Sequence, residues 1–474
     1  MISRNRQNVE SARRPSAALI ALGLLLAATF AFGGSARGDE LGLTVLRPAS
    51  AIALVFGLYL LAYEVIDAHK FWVGWFFAIV ALTVAHLLPL PPMLWHRLPG
   101  RELAIEADIL LSAQHGWRPI SLSPELTRNA LWSMMGPLAC FVLMIQLRRW
   151  EVFCIFALLI ILSLISGLVA VLQISQGPES PFYFYRITNF GSGVGFFANR
   201  NHHAVLLACL VPVAFGLACL AVNENKSRSR VGMGIIVKWT MALGAVFLFS
   251  LVMVTGSRAG LLLYGLALIL TFIYSAASRK SAEFTTSTPR YARFIGGLSQ
   301  RGAITIFTVI VVAAVFISGR ADTLKRLTNS GGGEEARWVI FDPLVDAILH
   351  FMPVGSGIGT FDPVFRGFEK PEILAPTYWN HAHNDWAEVA MTGGAPALFL
   401  ILIAIIWLVR HYSKLLANRL TRTNSELYSF IGGSVLVLTA VSSAVEYPLR
   451  VPIMTCVFAM AVALISKARL GAHS

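Results

Sequence analysis

Apolar runs of about 20 residues leave a chain few choices, because backbone polar groups inside a bilayer must be satisfied within the segment, and a helix does that. This sequence contains twelve such runs: 16–34, 48–66, 71–92, 129–147, 152–173, 204–222, 234–255, 261–277, 303–318, 393–412, 429–446 and 451–466. The second and third include Glu64 and His86, and the ninth has a short core. With 56% hydrophobic and 13% charged residues and a mean hydropathy of +0.68, the chain is unlike a soluble domain, which carries about 25% charge. The expectation is an all-α polytopic membrane protein: one integral membrane domain, residues 1–474, of about twelve transmembrane helices.

Charge then sets the orientation. Lys and Arg are denser in the segments that share a side with the N-terminus, and the acids gather opposite, so the positive-inside rule puts both termini in the cytoplasm. Three sizeable outer loops follow, 93–128, 174–203 and 319–392, the last being the largest. A net charge of +13 would suggest nucleic acid in a soluble protein. Here its distribution matters more: the basic residues mark inner connections such as Lys226 to Arg230 and Arg279-Lys280, and no nucleic-acid partner is expected. Arg4, Arg6, Arg13 and Arg14 ahead of an apolar run imitate a signal peptide, but with so many spans behind it an uncleaved first helix is expected. Cys140, Cys154, Cys209, Cys219 and Cys456 all sit in apolar runs without a CxxC, which speaks against a disulfide framework or a cysteine metal site.

Chemistry in such a chain belongs to the outer loops and the helix ends beneath them. The richest stretch is Trp379-Asn380-His381-Ala382-His383-Asn384-Asp385-Trp386. Asn380 is expected to cap a short helix that Gly393-Gly394 stops. In that helix His381 and Asp385 share a face, as do Asn384 and Glu388, and His383 lies in the first turn. A neutral imidazole suits a general base; the competing reading is two histidines in a solvated turn. Arg258 (in Gly256-Ser257-Arg258-Ala259-Gly260) and Arg200 (in Phe196-Phe197-Ala198-Asn199-Arg200-Asn201-His202-His203) each stand at the outer start of a span. Helix N–H groups beside a guanidinium suit a phosphate, while an arginine snorkelling to the interface is the plainer alternative.

Arg186 and Arg337 are further outer cations. His202 and His203 alongside His381 and His383 raise the idea of a metal, yet no outer cysteine and no HExxH spacing supports it, so neither metal nor cofactor is expected. Gly191-Ser192-Gly193-Val194-Gly195-Phe196-Phe197 is echoed by Gly355-Ser356-Gly357-Ile358-Gly359-Thr360-Phe361. The functional reading of that echo is backbone N–H groups offered to a ligand; the other is coincidence. Ser123-Pro124 reads as N-cap and first helical residue, and Glu446 with Arg450 as a surface pair across the last outer turn.

Taken in order, these stretches resemble the O-antigen ligase and polymerase superfamily of bacterial envelope glycosyltransferases. The resemblance rests on the Arg200 and Arg258 motifs, on Gly355 to Phe361, on Trp117-Arg118-Pro119-Ile120-Ser121-Leu122-Ser123-Pro124, and above all on His381-Ala382-His383-Asn384-Asp385-Trp386 followed by Gly-Gly and an apolar span. It implies a fold similar to GT-C-type, lipid-linked-sugar glycosyltransferases, with catalysis in the periplasm at the bacterial inner membrane and without a metal. The implied donor is a polyprenyl-pyrophosphate-linked glycan, and the implied acceptor a hydroxyl on lipid A-core or on another glycan. It implies His383 as base, Arg200 and Arg258 near the pyrophosphate with Arg337 a less secure match, and His381 and Asn384 as substrate contacts. Met391-Thr392-Gly393 departs from relatives that carry an acid before that glycine.

Three functions fit these residues: a ligase, a repeat-unit polymerase, and a transporter of an anionic or lipid-linked substrate. A transporter would place ionisable groups at mid-membrane, whereas here only Glu64, His86 and Lys238 fall inside runs. Enzyme chemistry is therefore favoured. A single displacement that inverts the sugar carbon needs only a positioned base and cations for the leaving pyrophosphate.

Overall fold

A computed structural model describes residues 14–224, 230–283, 340–371, 379–417, 420 and 423–470. The protein is mostly helical. We label the principal helices α1 (Ala17–Phe32), α2 (Leu43–Leu60), α3 (Lys70–Ala85), α4 (Pro124–Ser133), α5 (Met135–Gln146), α6 (Arg149–Gln176), α7 (Arg200–Glu224), α8 (Arg230–Thr255), α9 (Arg258–Glu283), α10 (Phe341–Phe351), α11 (Asp385–Ala417), α12 (Asn424–Ser442) and α13 (Pro452–Leu470). Every expected run that falls on described residues is helical, though its bounds shift. Among the described residues seven helical stretches are long and apolar enough to cross a membrane, by length and composition: α2, α4 with α5, α6, α7, α9, α11 and α12. Shorter apolar helices occupy 17–32, 70–85, 240–255 and 452–468. The expected span 303–318 and Arg337 lie outside the described residues.

Three boundaries correct the sequence reading. The second helix begins at Leu43 and takes Pro48 inside it. Glu64, expected within that span, instead sits exposed in a separate short helix, Tyr63–Ala68. The third helix stops at Ala85, because Pro89, Pro91 and Pro92 are apolar by composition yet cannot continue a helix. There Pro89–Leu90 pairs antiparallel with Arg118–Pro119 and ties down the loop between them. The penultimate helix ends at Ser442, which frees the turn 443–451 for other work.

Burial sorts the helices into two populations. α13 is buried on nearly all sides, from Ile453 and Met454 through Ile465, and packs against α12 and α5, while α7 packs against α9, α12 and α8. A helix apolar all round belongs in a core. Small residues let the backbones close: a Cβ on Gly216 would meet Ile431 at 2.3 Å, and one on Gly432 the Ala461 carbonyl at 2.6 Å, the small-residue packing that membrane helices use. On α6, α9 and α11, by contrast, Leu168, Leu262 and Phe399 stand exposed, as side chains facing lipid do.

At one end of the bundle the helix termini interlock through backbone bonds. Ala198 N donates to Gly34 O (3.0 Å), Ile453 N to Gly33 O (3.1 Å) and Asp385 N to Ser443 O (2.8 Å). The ends of α1 and α12 thus meet the starts of α7, α11 and α13.

Both Gly-Ser-Gly echoes are spent on this scaffold, not on a ligand. Gln173 Oε1 accepts from Val194 N (2.9 Å) and Gly195 N (2.8 Å). In the second copy Ser356 N and Gly357 N donate to Met391 O (3.0 Å) and Thr392 O (2.9 Å), and Ile358 N donates to His86 Nδ1 (3.2 Å). Gly355, with φ +86, lies so near Thr392 that a Cβ would come within 2.6 Å of its carbonyl oxygen. Arg101, fully buried, donates to Pro99 O (2.7 Å), Ile120 O (2.6 Å) and Gly355 O (3.0 Å) and so joins the segment around residue 120 to the one around residue 355. Arg101→Gln is expected to cost about 2 kcal/mol of stability, seen as a lower melting temperature in detergent with the helical circular-dichroism spectrum retained.

Candidate active site

The histidine stretch is not helical. α11 starts at Asp385, and Asn384, not Asn380, caps it: Asn384 Oδ1 accepts from Ala387 N (3.1 Å) and its carbonyl from Glu388 N (3.0 Å). The helix breaks at Gly394 (φ +62, ψ −159), so the expected stop falls where the glycine pair put it. Starting the helix four residues late undoes the expected face-sharing pair. His381 does not meet Asp385. Its Nδ1 lies 3.2 and 3.3 Å from the two oxygens of Glu388, which also accept from Ala382 N (3.0 Å).

His383 adopts φ +50. A left-handed non-glycine residue costs about 1–3 kcal/mol and persists only where its surroundings hold it. Here they do: His383 Nδ1 lies 3.4 Å from Glu446 Oε2, and its ring stands edge-on to Tyr447 (4.8 Å between centroids) and to Trp379 (5.8 Å).

Glu446 and Arg450, read from sequence as a surface pair, are neither exposed nor paired with each other. Glu446 is fully buried; it accepts from Asn201 Nδ2 and lies 3.9 Å from His202 Nε2. Arg450 Nε reaches Asp385 (3.2 Å) and Glu388 (3.4 Å). Burial opposes the charge of Arg450, but the Glu388 and Asp385 carboxylates outweigh it and hold the guanidinium above its ordinary value. Asp385 accepts in addition from Ser443 Oγ (3.0 Å) and Leu449 N (3.2 Å). The turn after α12 folds back because its polar groups satisfy the start of α11.

Tyr447 is the hub that sequence reading missed. Its ring lies 4.8 Å from His202, 4.6 Å from His381 and 4.8 Å from His383. Burial, then the neighbouring Glu446, push its phenol up to about 12 against opposing hydrogen bonds with Asn199 and Asn380, so Tyr447 stays neutral throughout the physiological range. The available signal was Glu446-Tyr447-Pro448, a polar break between two apolar runs.

The two cations fall on neighbouring helix starts. Arg200 opens α7, two residues before His202, and its Nη1 donates to Ser192 Oγ (3.4 Å). The same Nη1 would lie 3.9 Å from a Cβ on Gly256, so it reaches the turn that leads into α9 at Arg258. A cavity of about 840 Å³ opens beside His381, with Asn380, Glu388 and Arg450 among its walls; His383, Arg200 and Arg258 do not line it. Among the described residues no three His, Cys, Asp or Glu side chains come together as a metal site.

Residues 243–402 match the family model described as O-antigen ligase. The match runs from within α8 through Arg258 and the histidine stretch into α11, and stops short of Arg200 on one side and of Glu446 to Arg450 on the other. No curated protein matches the chain. Among the described residues seven helical stretches are long and apolar enough to take the chain across a membrane more than once, and the matched family is one of glycan ligases. Over residues 243–402, about a third of its length, the chain is similar to the O-antigen ligase family.

Proposed function

We propose that the protein transfers a glycan from a polyprenyl-pyrophosphate donor to a sugar hydroxyl on a lipid acceptor such as lipid A-core, at the periplasmic face of the bacterial inner membrane, with both termini cytoplasmic. The observation that carries this reading is the convergence at one bundle end of a carboxylate-backed histidine and two arginine-bearing helix starts. His383, with Nδ1 facing Glu446, keeps Nε2 to accept a proton. The acceptor oxygen forms the new bond to the anomeric carbon as the carbon–oxygen bond to pyrophosphate breaks, and the hydroxyl proton passes to His383. The pyrophosphate leaves with the bonding pair toward Arg200, Arg258 and the N–H groups opening α7 and α9, groups suited to growing oxyanion charge. No metal is invoked. One displacement inverts the sugar carbon; net retention in the product's NMR spectrum would falsify the scheme.

A second assignment of the base has its own support: His381 lines the cavity and faces Glu388 more closely than His383 faces Glu446. The strained backbone and the Trp379 wall favour His383. His381→Gln is therefore expected to lower transfer by only about tenfold, less than a positioned base contributes. A larger loss for His381→Gln than for a His383 variant, in the same vesicle assay, reverses the two roles. Ligase and polymerase differ in the acceptor. A deletion strain whose lipid-linked polymer accumulates while lipid A-core stays bare marks a ligase, and single repeat units on the core mark a polymerase.

A further inference from the structure

The cavity beside His381 has a second wall that the transfer scheme leaves unused. Arg47 of α2 and Arg128 of α4 both face it. Neither is paired with a carboxylate among the described residues, whereas Arg37 at the same rim is held by Asp39 at 3.1 Å. Arg47 donates from Nη2 to Asn129 Oδ1, and its buried Nε has no acceptor. Gly38 closes over the same amide, where a Cβ would come 2.9 Å from Asn129 Nδ2. Asn129 is thereby fixed as the rest on which Arg47 lies.

Past Arg47 the cavity continues into a groove of about 520 Å³ along α2, walled by Leu43, Pro48, Ala51, Trp132 and Met135. The outer edge of α2 shows exposed Val45 and Ile52, and Trp132 is half exposed. From inside outward the surface is a histidine with its carboxylate, then Arg47 and Arg128 with Glu125 and Asp362 on the same walls, then a mainly apolar groove with Asp39 and Glu40 at its rim. That sequence matches an amphiphile whose phosphate lies between a sugar and acyl chains.

Resting on the transfer reading above, we propose that this cleft seats the acceptor, a phosphorylated glycolipid. Its acyl chains lie along α2 and Trp132, its phosphate on Arg47 and Arg128, and its sugar toward His381. The two guanidinium groups that no carboxylate pairs among the described residues suit a phosphate, and the groove selects a lipid over a free anion. The donor pyrophosphate keeps Arg200 and Arg258, on helices that contribute nothing to this cleft.

The test uses the full chain in lipid nanodiscs, with bisphosphorylated lipid A and undecaprenyl pyrophosphate as separate probes and binding read by native mass spectrometry. The double variant Arg47→Gln/Arg128→Gln is expected to weaken lipid A binding by about tenfold and to leave undecaprenyl pyrophosphate unchanged. Arg47→Lys/Arg128→Lys restores most of the lipid A binding, which a merely misfolded chain would not do. Unchanged lipid A affinity in the Gln pair overturns the proposal, as does equal loss of both lipids in the Gln and Lys pairs. A loss confined to undecaprenyl pyrophosphate assigns the cleft to the donor and overturns it too. Binding needs no turnover, so a chain that binds lipid A through these arginines yet transfers no glycan retires the transfer reading alone.

Discussion

His383→Asn is expected to lower glycan transfer by about 10²–10⁴-fold, the usual contribution of a positioned proton acceptor, while the protein keeps its melting temperature and its donor binding. Asparagine is the right replacement because of the backbone. His383 sits at φ +50, a region that asparagine tolerates better than alanine does, so Asn keeps the turn and removes only the base. His383→Ala confounds the two by adding strain. Reconstituted vesicles with a labelled donor and lipid A-core measure the rate. Wild-type turnover by the Asn variant would remove His383 from the mechanism and leave the His381 and Glu388 pair as the base.

Helices were legible because twenty apolar residues in a row carry their own instruction. Their ends were less so, and each error has a local cause. Prolines 89, 91 and 92 score as apolar but end α3 at Ala85. Asn380 and Asn384 are equally good caps by composition, and only the fold reveals that Asn384 takes the role. That shift of one helical turn decides which carboxylate each histidine meets, so His381 was found in sequence while its partner Glu388 was not.

Long-range partners carried no local signal at all. Glu446 looked like a rim charge because 63 residues separate it from His383; only the return of the chain after α12 brings its Oε2 to 3.4 Å from the ring. Arg47 and Arg128 carried no signal of their own, since nothing in the sequence says that α2 and α4 wall one cavity. The glycine echo shows the opposite error. Its N–H groups suggested a ligand cradle, but buried backbone must be paired, and Gln173, Met391 and Thr392 had already paired it.

Glu446→Gln is the sharper probe of the same centre, because it changes one atom's hydrogen-bonding character and nothing in size. The carboxyl faces Asn201 Nδ2, His202 Nε2 and His383 Nδ1. At 3.4 Å its negative charge favours a proton on Nδ1 of His383, although the two atoms are not hydrogen-bonded, and that leaves Nε2 free to take one from the acceptor hydroxyl. A glutamine has one acceptor and one donor end. With its NH₂ toward His383, Nδ1 must accept, the ring proton moves to Nε2 and the base is lost. Transfer then falls by about 10²-fold or more, and it falls in kcat with KM nearly constant, because no substrate contact has been removed. With the amide reversed, the NH₂ meets the Asn201 donor instead. The defect then reads as about 1–3 kcal/mol of lost stability from an unsatisfied buried pair, with kcat preserved. Measuring kcat, KM and melting temperature on the one variant separates these outcomes, and a protein unchanged in all three would mean that Glu446 neither orients His383 nor is held by Asn201.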